Sequence, residues 1–211
     1  VRDGRSGLAP CAFETVDVPT WVGEVAGVDD VVLPDALASY NCRNHRLAWQ
    51  GLQGDGFLQA TAAVRERWGP SRVAVVMGTT TGSIGATESA YRTHQASGHF
   101  PLQPADAPLH TLHALGAFVQ EALGLEGPCH TVSTACSSSA KAFCTAERLL
   151  RTGLADAVVV GGVDSLCGST LFGFHALQLL SPTPCEPFSP QRRGLSLGEA
   201  AGFVLLVADK S

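Results

Sequence analysis

Three short and continuous apolar runs constrain the fold of this chain more than any other feature. They cover residues 73–78, 158–161 and 203–207, and segments with apolar residues at helical spacing lie between and around them. Apolar runs of this length are typical of strands that are covered on both faces, and their alternation with helices favours parallel pairing. We therefore predict one α/β domain in which a mainly parallel sheet lies between helices.

Local composition and spacing predict further elements. In chain order they are a strand at 21–28, a helical turn at 34–40, a helix at 44–68 that is interrupted at Gly54 and Gly56, a helix at 108–123 and a strand at 130–134. A helix over residues 137–151 follows, and its apolar residues, Phe143 and Leu149 among them, are expected to face the core.

Cys136 stands in the run 132–140, where a β-branched stretch gives way to very small residues around one thiol. The predicted strand and helix place this thiol near a helix start, where unpaired backbone N–H groups and the macrodipole stabilise negative charge. A thiolate is the nucleophilic form of cysteine, and the same N–H groups can receive the oxyanion that forms when a carbonyl is attacked. The pattern therefore predicts that Cys136 is a nucleophile for acyl transfer.

A second interpretation is that Cys136, one of seven cysteines, is simply a small buried hydrophobe, as most free cysteines are. The residues alone leave both interpretations open.

Two other motifs predict nothing further. The glycine loop at 78–83 lacks the lysine of a phosphate-binding loop, and Cys129, His130 and Cys136 are too close along one strand for a tetrahedral zinc site. We therefore expect neither a cofactor nor a metal.

Four ordered segments extend the pattern around Cys136, at residues 127–138, 155–165, 179–188 and 193–202. In order and spacing they resemble the motifs of the β-ketoacyl synthases, the condensing enzymes of fatty acid and polyketide synthesis. Weaker similarities at 3–8, 73–79 and 82–85 extend the resemblance over the whole chain. The resemblance implies the thiolase-like αβαβα fold, with this chain forming most of its N-terminal half.

The same resemblance implies that residues 1–211 are an incomplete N-terminal domain. A first strand, expected at the centre of the sheet, and the whole C-terminal half with its histidine and lysine motifs are expected to be absent. None of the seven histidines stands in such a motif. We therefore expect these residues alone to fold poorly and to be inactive in condensation.

The resemblance also implies site residues. Cys136 is the catalytic residue, and Phe174 and Thr87 match substrate-binding positions beside the acyl chain. A small residue such as Thr87 leaves room there for a long or conjugated chain. His175 is expected to be structural, because it matches no catalytic position.

The implied reaction is a decarboxylative condensation. Cys136 takes an acyl group from an acyl carrier protein, and a malonyl group on a second carrier elongates it without a metal or redox cofactor. The segment 131–135 is expected at the interface of a homodimer, or of a heterodimer with a related subunit. Two alternatives remain. A non-catalytic chain-length or scaffold partner usually lacks the cysteine, and a thiolase-type acyl-coenzyme A enzyme is disfavoured by the segment 193–202.

Composition limits the partners and the compartment. The net charge is −5 with no basic cluster, so neither nucleic acid nor an anionic membrane is an expected partner. No apolar run approaches the roughly 20 residues of a membrane span. The seven cysteines have no regular spacing that would indicate a disulfide framework, and a reactive thiol requires a reducing compartment. We therefore expect a cytoplasmic protein.

Overall fold

A four-stranded sheet lies at the centre of the computed structural model, which describes residues 3–14, 16–101 and 109–208. Its strands are β3 (Val73–Gly78), β4 (Cys129–Val132), β5 (Ala157–Asp164) and β7 (Ala200–Val207). The spatial order is β4-β3-β5-β7, and β3 pairs in parallel with both β4 and β5. β7 pairs antiparallel with β5. The prediction of a mainly parallel sheet is thus confirmed.

The sheet has no gap at its centre. β3 pairs directly with β5 along six consecutive residues, from Val73 opposite Ala157 to Gly78 opposite Gly162. The described sheet is therefore continuous, and the expected absence of a first strand stays a prediction. Among the described residues, β4 and β7 are the two edges of this sheet.

Three shorter strands form a separate sheet. They are β1 (Leu8–Pro10), β2 (Trp21–Gly23) and β6 (Leu197–Gly198), in the order β1-β2-β6. The strand predicted at 21–28 is therefore wrong beyond Gly23. Gly27 has a left-handed backbone with φ of 76°, which ends extended structure, and Val28–Asp30 form a 3-10 turn.

The helices of the described residues are α1 (Arg43–Leu52), α2 (Phe57–Trp68), α3 (Ile84–Ser97), α4 (Ala114–Ala122), α5 (Ser138–Arg151) and α6 (Gly168–Ala176). The interruption predicted at Gly54 and Gly56 is confirmed, since α1 and α2 are separate helices. The helix predicted at 108–123 is wrong at its start. Residues 109–113 form turns, and residue 108 lies outside the described residues. No helix in the described ranges combines the length and apolar character that crossing a membrane requires.

Helices cover both faces of the large sheet. Side chains alternate along β3, so that Val75 and Met77 pack in one core cluster with residues of α1 and α4. Val76 faces the opposite side and packs in a second cluster with Ala142 and Leu149 of α5. The layered α/β arrangement is therefore as predicted. One detail is wrong: Phe143 is 40% exposed, because it lies on the outer face of α5.

Candidate active site around Cys136

Three helices begin where parallel strands end, at one edge of the large sheet. α3 follows β3, α5 follows β4 and α6 follows β5. Parallel strands place their carboxyl ends together, so the N-termini of these helices and their positive dipole ends gather at the same edge. Cys136 lies there, between the end of β4 at Val132 and the start of α5 at Ser138, and it is exposed.

The turn that carries Cys136 is backbone-strained. Ala135 has φ of 54°, in the left-handed region that residues with a Cβ seldom adopt. Such strain persists only where surrounding contacts enforce it, and it is common at functional sites. Because the strained residue directly precedes the cysteine, the chain reverses sharply at that point. The thiol is consequently presented to solvent.

Hydroxyl groups hold this turn in place. The Ser138 hydroxyl accepts a hydrogen bond from the Thr134 N–H at 2.9 Å and lies 2.6 Å from the Ala135 carbonyl oxygen, to which it donates. The Ser137 hydroxyl donates to the Thr134 carbonyl oxygen at 2.9 Å. The run of small polar residues around Cys136 therefore has a structural role, which is to fix the turn with uncharged groups.

Two glycines allow the start of α5 to lie directly on the sheet. A Cβ added at Gly78 would lie 2.7 Å from both the N and the Cα of Ser139 and 2.8 Å from the carbonyl carbon of Ser138. Gly162 is the partner of Gly78 on β5, and a Cβ there would overlap the Ser139 hydroxyl. This glycine pair sets the distance between the sheet and α5, the helix that begins two residues after Cys136.

Asp164 fixes the loop that follows β3. Its Oδ1 accepts hydrogen bonds from the Thr80 and Thr81 N–H groups at 2.7 and 2.8 Å, and from the Thr79 and Thr81 hydroxyls at 3.0 and 2.9 Å. The carboxylate belongs to the end of β5, so it ties the ends of two neighbouring strands together. The sequence places Asp164 after a glycine turn but does not indicate this contact.

A buried ion pair, which sequence analysis did not predict, fixes the position of the segment after β5. The Glu199 carboxylate accepts from the Arg43 Nε and Nη2 at 2.9 and 2.7 Å, and from the backbone N–H groups of Val25 and Leu166. Its hydrogen bonds raise the pKa of the Arg43 guanidinium above the ordinary value. A glutamate within a largely apolar segment is the one signal that could have found this pair.

A cavity of about 640 Å³ lies between α3 and α6. Thr87 lines it together with Tyr91 and Phe172, whereas Phe174, on α6, is half-buried and lies outside the lining. Cys136 does not line it either, so the structure does not bring the predicted site residues into one pocket. His175, near the end of α6, is exposed.

The cysteines differ in how deeply their thiols are buried. Desolvation raises the pKa of the Cys42 and Cys129 thiols to about 11, which keeps them protonated at neutral pH. Burial also raises the pKa of Cys167. Among the described cysteines, Cys136 and Cys144 are the exposed ones, and Cys144 lies within α5. Within the described ranges no three acidic, histidine or cysteine side chains are grouped as metal ligands.

Comparison with known proteins identifies the family. The family model described as "Beta-ketoacyl synthase, N-terminal domain" matches residues 42–211, and the chain belongs to this family. Among curated relatives, Nodulation protein E of Rhizobium meliloti (strain 1021) is 35% identical over 98% of this chain and 52% of its own length. The chloroplastic 3-oxoacyl-[acyl-carrier-protein] synthase I of Hordeum vulgare is 29% identical over 96% of this chain and 47% of its own length.

Solved structures agree. The ketosynthase ApeO, solved in complex with its chain length factor ApeC from Xenorhabdus doucetiae, matches with a TM-score of 0.80 and 33% identity over 91% of this chain and 48% of that chain. The ishigamide ketosynthase/chain length factor matches in fold, with a TM-score of 0.84 and 22% identity over 98% of this chain and 52% of that chain. The chain therefore has the thiolase-like ketosynthase fold and spans about half the length of the relatives it matches.

Proposed function

We propose that the protein is a condensing enzyme that carries its acyl intermediate on Cys136. The observation that carries this proposal is the position of the thiol: exposed, on a strained turn, two residues before the first residue of α5. The unpaired N–H groups of a helix start can stabilise both a thiolate and the oxyanion of a tetrahedral intermediate. Membership of the β-ketoacyl synthase family supports the same role.

The reaction proceeds in two halves. In the first, the Cys136 thiolate attacks the thioester carbonyl of an acyl carrier protein, and the carrier sulfur leaves and takes a proton. In the second, a malonyl carrier loses carbon dioxide, and the resulting carbanion equivalent attacks the Cys136 thioester. This step releases a β-ketoacyl carrier and restores the thiolate. No described histidine is hydrogen-bonded to Cys136, so we assign assistance of decarboxylation to the histidine motifs of the family's C-terminal half.

Mass spectrometry of the intact protein tests the nucleophile. The protein at its natural length is incubated with an acyl carrier donor, and the acyl adduct is located by peptide mapping. We expect one adduct, lost in Cys136→Ala and retained in Cys144→Ala, which removes the other exposed cysteine of the described residues, within α5. An adduct that persists in Cys136→Ala would assign the acyl group to another residue and overturn the proposal.

We also propose that the protein forms a dimer through the free edge of β4, either with a second copy or with a related subunit. The Val75 N–H bonds to the carbonyl of residue 128 and the Thr79 N–H bonds to that of Val132, so even-numbered backbone groups of β4 face β3. Because backbone groups alternate along a strand, those of residues 129 and 131 face outwards. The ketosynthase ApeO, with its chain length factor partner, supports a heterodimer.

Amide hydrogen exchange tests this edge. In the dimer, the outward amides of Cys129 and Thr131 should exchange slowly, as the inward amides of His130 and Val132 do. On dilution to the monomer, the outward pair should become fast while the inward pair stays slow. Fast exchange of the outward pair in the dimer would place the interface elsewhere.

We further propose a cytoplasmic location, since a thiol nucleophile depends on a reducing compartment.

A further inference from the structure

Thr87 uses its hydroxyl differently from the other described hydroxyl residues of α3 that have short side chains. Ser89, Thr93 and Ser97 each donate to the carbonyl oxygen four residues earlier, at 3.1, 3.0 and 2.8 Å. The Thr87 Oγ1 instead lies 2.8 Å from Nδ1 of His110, outside the helix. A helical threonine commonly bonds to its own backbone, so His110 competes successfully for this hydroxyl.

The position of His110 determines where the hydroxyl points. Its neighbour Leu109 accepts a hydrogen bond from the Ser83 hydroxyl, which fixes the turn at 109–110 against the start of α3. His110 lines a smaller cavity of about 270 Å³, with Ala86 and Ala90 of α3, and does not line the cavity of about 640 Å³ that Thr87 lines. The Thr87 hydroxyl is therefore directed away from the larger cavity, towards His110.

The larger cavity has an apolar part that suits a hydrocarbon chain, beside the polar side chains of Arg92 and Gln95. Ile84, Tyr91 and Phe172 contribute apolar surface. The Glu88 carboxylate, also in the lining, is occupied by the N–H groups of Gly168 and Ser169 at 3.1 and 2.6 Å. With Glu88 bonded to the start of α6 and the Thr87 hydroxyl bonded to His110, two polar groups of the wall are already satisfied without a ligand.

We propose that His110 is a positioning residue for the acyl cavity. It keeps the Thr87 hydroxyl directed away from an apolar acyl chain. This inference rests on the proposed function, and it takes the cavity as the acyl site because Thr87 matches a position beside the acyl chain in the family. Without His110, the Thr87 side chain has two alternatives. Its hydroxyl either points into the cavity unpaired or rotates to bond the Ser83 carbonyl, which moves its methyl group. Either change disturbs the wall that the chain contacts.

A double-mutant cycle tests the coupling between these two residues. Loading of Cys136 by a saturated acyl carrier donor is followed by mass spectrometry in His110→Leu, Thr87→Val and the double variant. We expect His110→Leu to lower kcat/KM about tenfold, mainly through KM, because the Thr87 hydroxyl loses its hydrogen bond and is released at the cavity wall. In the Thr87→Val background, His110→Leu should have no further effect, since no hydroxyl remains to be held.

Two more variants complete the design. His110→Asn keeps a polar atom near the position of Nδ1 and should retain loading, whereas Thr93→Val, which removes a hydroxyl bonded within α3, should leave it unchanged. Equal losses from His110→Leu in both backgrounds would show that His110 acts by packing alone, and no loss in either would show that it does not act; both overturn the inference. Wild-type protein that is not loaded at all would overturn the proposed function as well.

Discussion

Gly78→Ala should displace the start of α5 and with it Cys136. The new Cβ would lie 2.7 Å from backbone atoms of Ser139, whereas carbon atoms pack at about 3.5 Å or more, so the helix start must move by about 0.8 Å. The contacted atoms are the N and Cα of Ser139, which belong to the backbone and therefore cannot rotate away from the new Cβ. Overpacking of this kind costs about 1–3 kcal/mol. A displacement near 1 Å can lower the rate at a catalytic group by about 100-fold.

The assay is alkylation of Cys136 by iodoacetamide at neutral pH, with Cys144 in the same protein as the internal reference and a thermal melt of each variant. Gly202→Ala is the matched control, because Gly202 also lies in the sheet, opposite Gly162, and a Cβ there would meet nothing within 4 Å. We expect Gly78→Ala to lower Tm and to slow labelling of Cys136 but not of Cys144. Equal behaviour of the two glycine variants would refute the role of the glycine pair.

Three further predictions concern other parts of the chain. Burial lowers the pKa of His45 to about 4. Below pH 6.5 the unfolded state therefore binds a proton that the folded state binds only near pH 4. The free energy of unfolding should fall by about 2 kcal/mol between pH 7 and pH 5 in urea titrations, and by less in His45→Gln. Thr87→Ile should reduce loading of long acyl chains relative to short ones, and unchanged selectivity would contradict its place in the acyl site. Ser137→Asp should slow alkylation of Cys136 relative to Ser137→Asn, because a carboxylate opposes a neighbouring thiolate; equal rates would count against a thiolate mechanism.

Local patterns predicted those parts of the fold that depend on neighbouring residues. The buried run of β3 and the turn around Cys136 are of this kind, because burial and small side chains appear directly in the sequence. Element ends were less predictable. The strand predicted at 21–28 ends at Gly23, and the chain then turns at Gly27, which has a left-handed backbone. Phe143 was expected in the core because helical spacing does not show which side of a helix a partner covers.

Contacts between distant residues could not be predicted in this way. Arg43 and Glu199 are 156 positions apart, and the Thr79 and Asp164 side chains are 85 apart. Neither pair forms a local pattern, because strand order alone brings its members together. The family resemblance located the segments that contain Asp164 and Glu199 but gave no reason for either carboxylate. The structure supplies that reason through the backbone N–H groups that each one binds.

Three carboxylates act alike around the edge where Cys136 lies. Asp164 binds the N–H groups of residues 80 and 81, Glu88 those of residues 168 and 169, and Glu199 those of residues 25 and 166. The start of α5 differs, since hydroxyls of Ser137 and Ser138 hold its turn instead of a carboxylate. A carboxylate there would oppose negative charge on the sulfur and on an attacked carbonyl oxygen. Neutral groups at this helix start therefore leave its dipole available to the reaction, while charged groups fix the neighbouring segments.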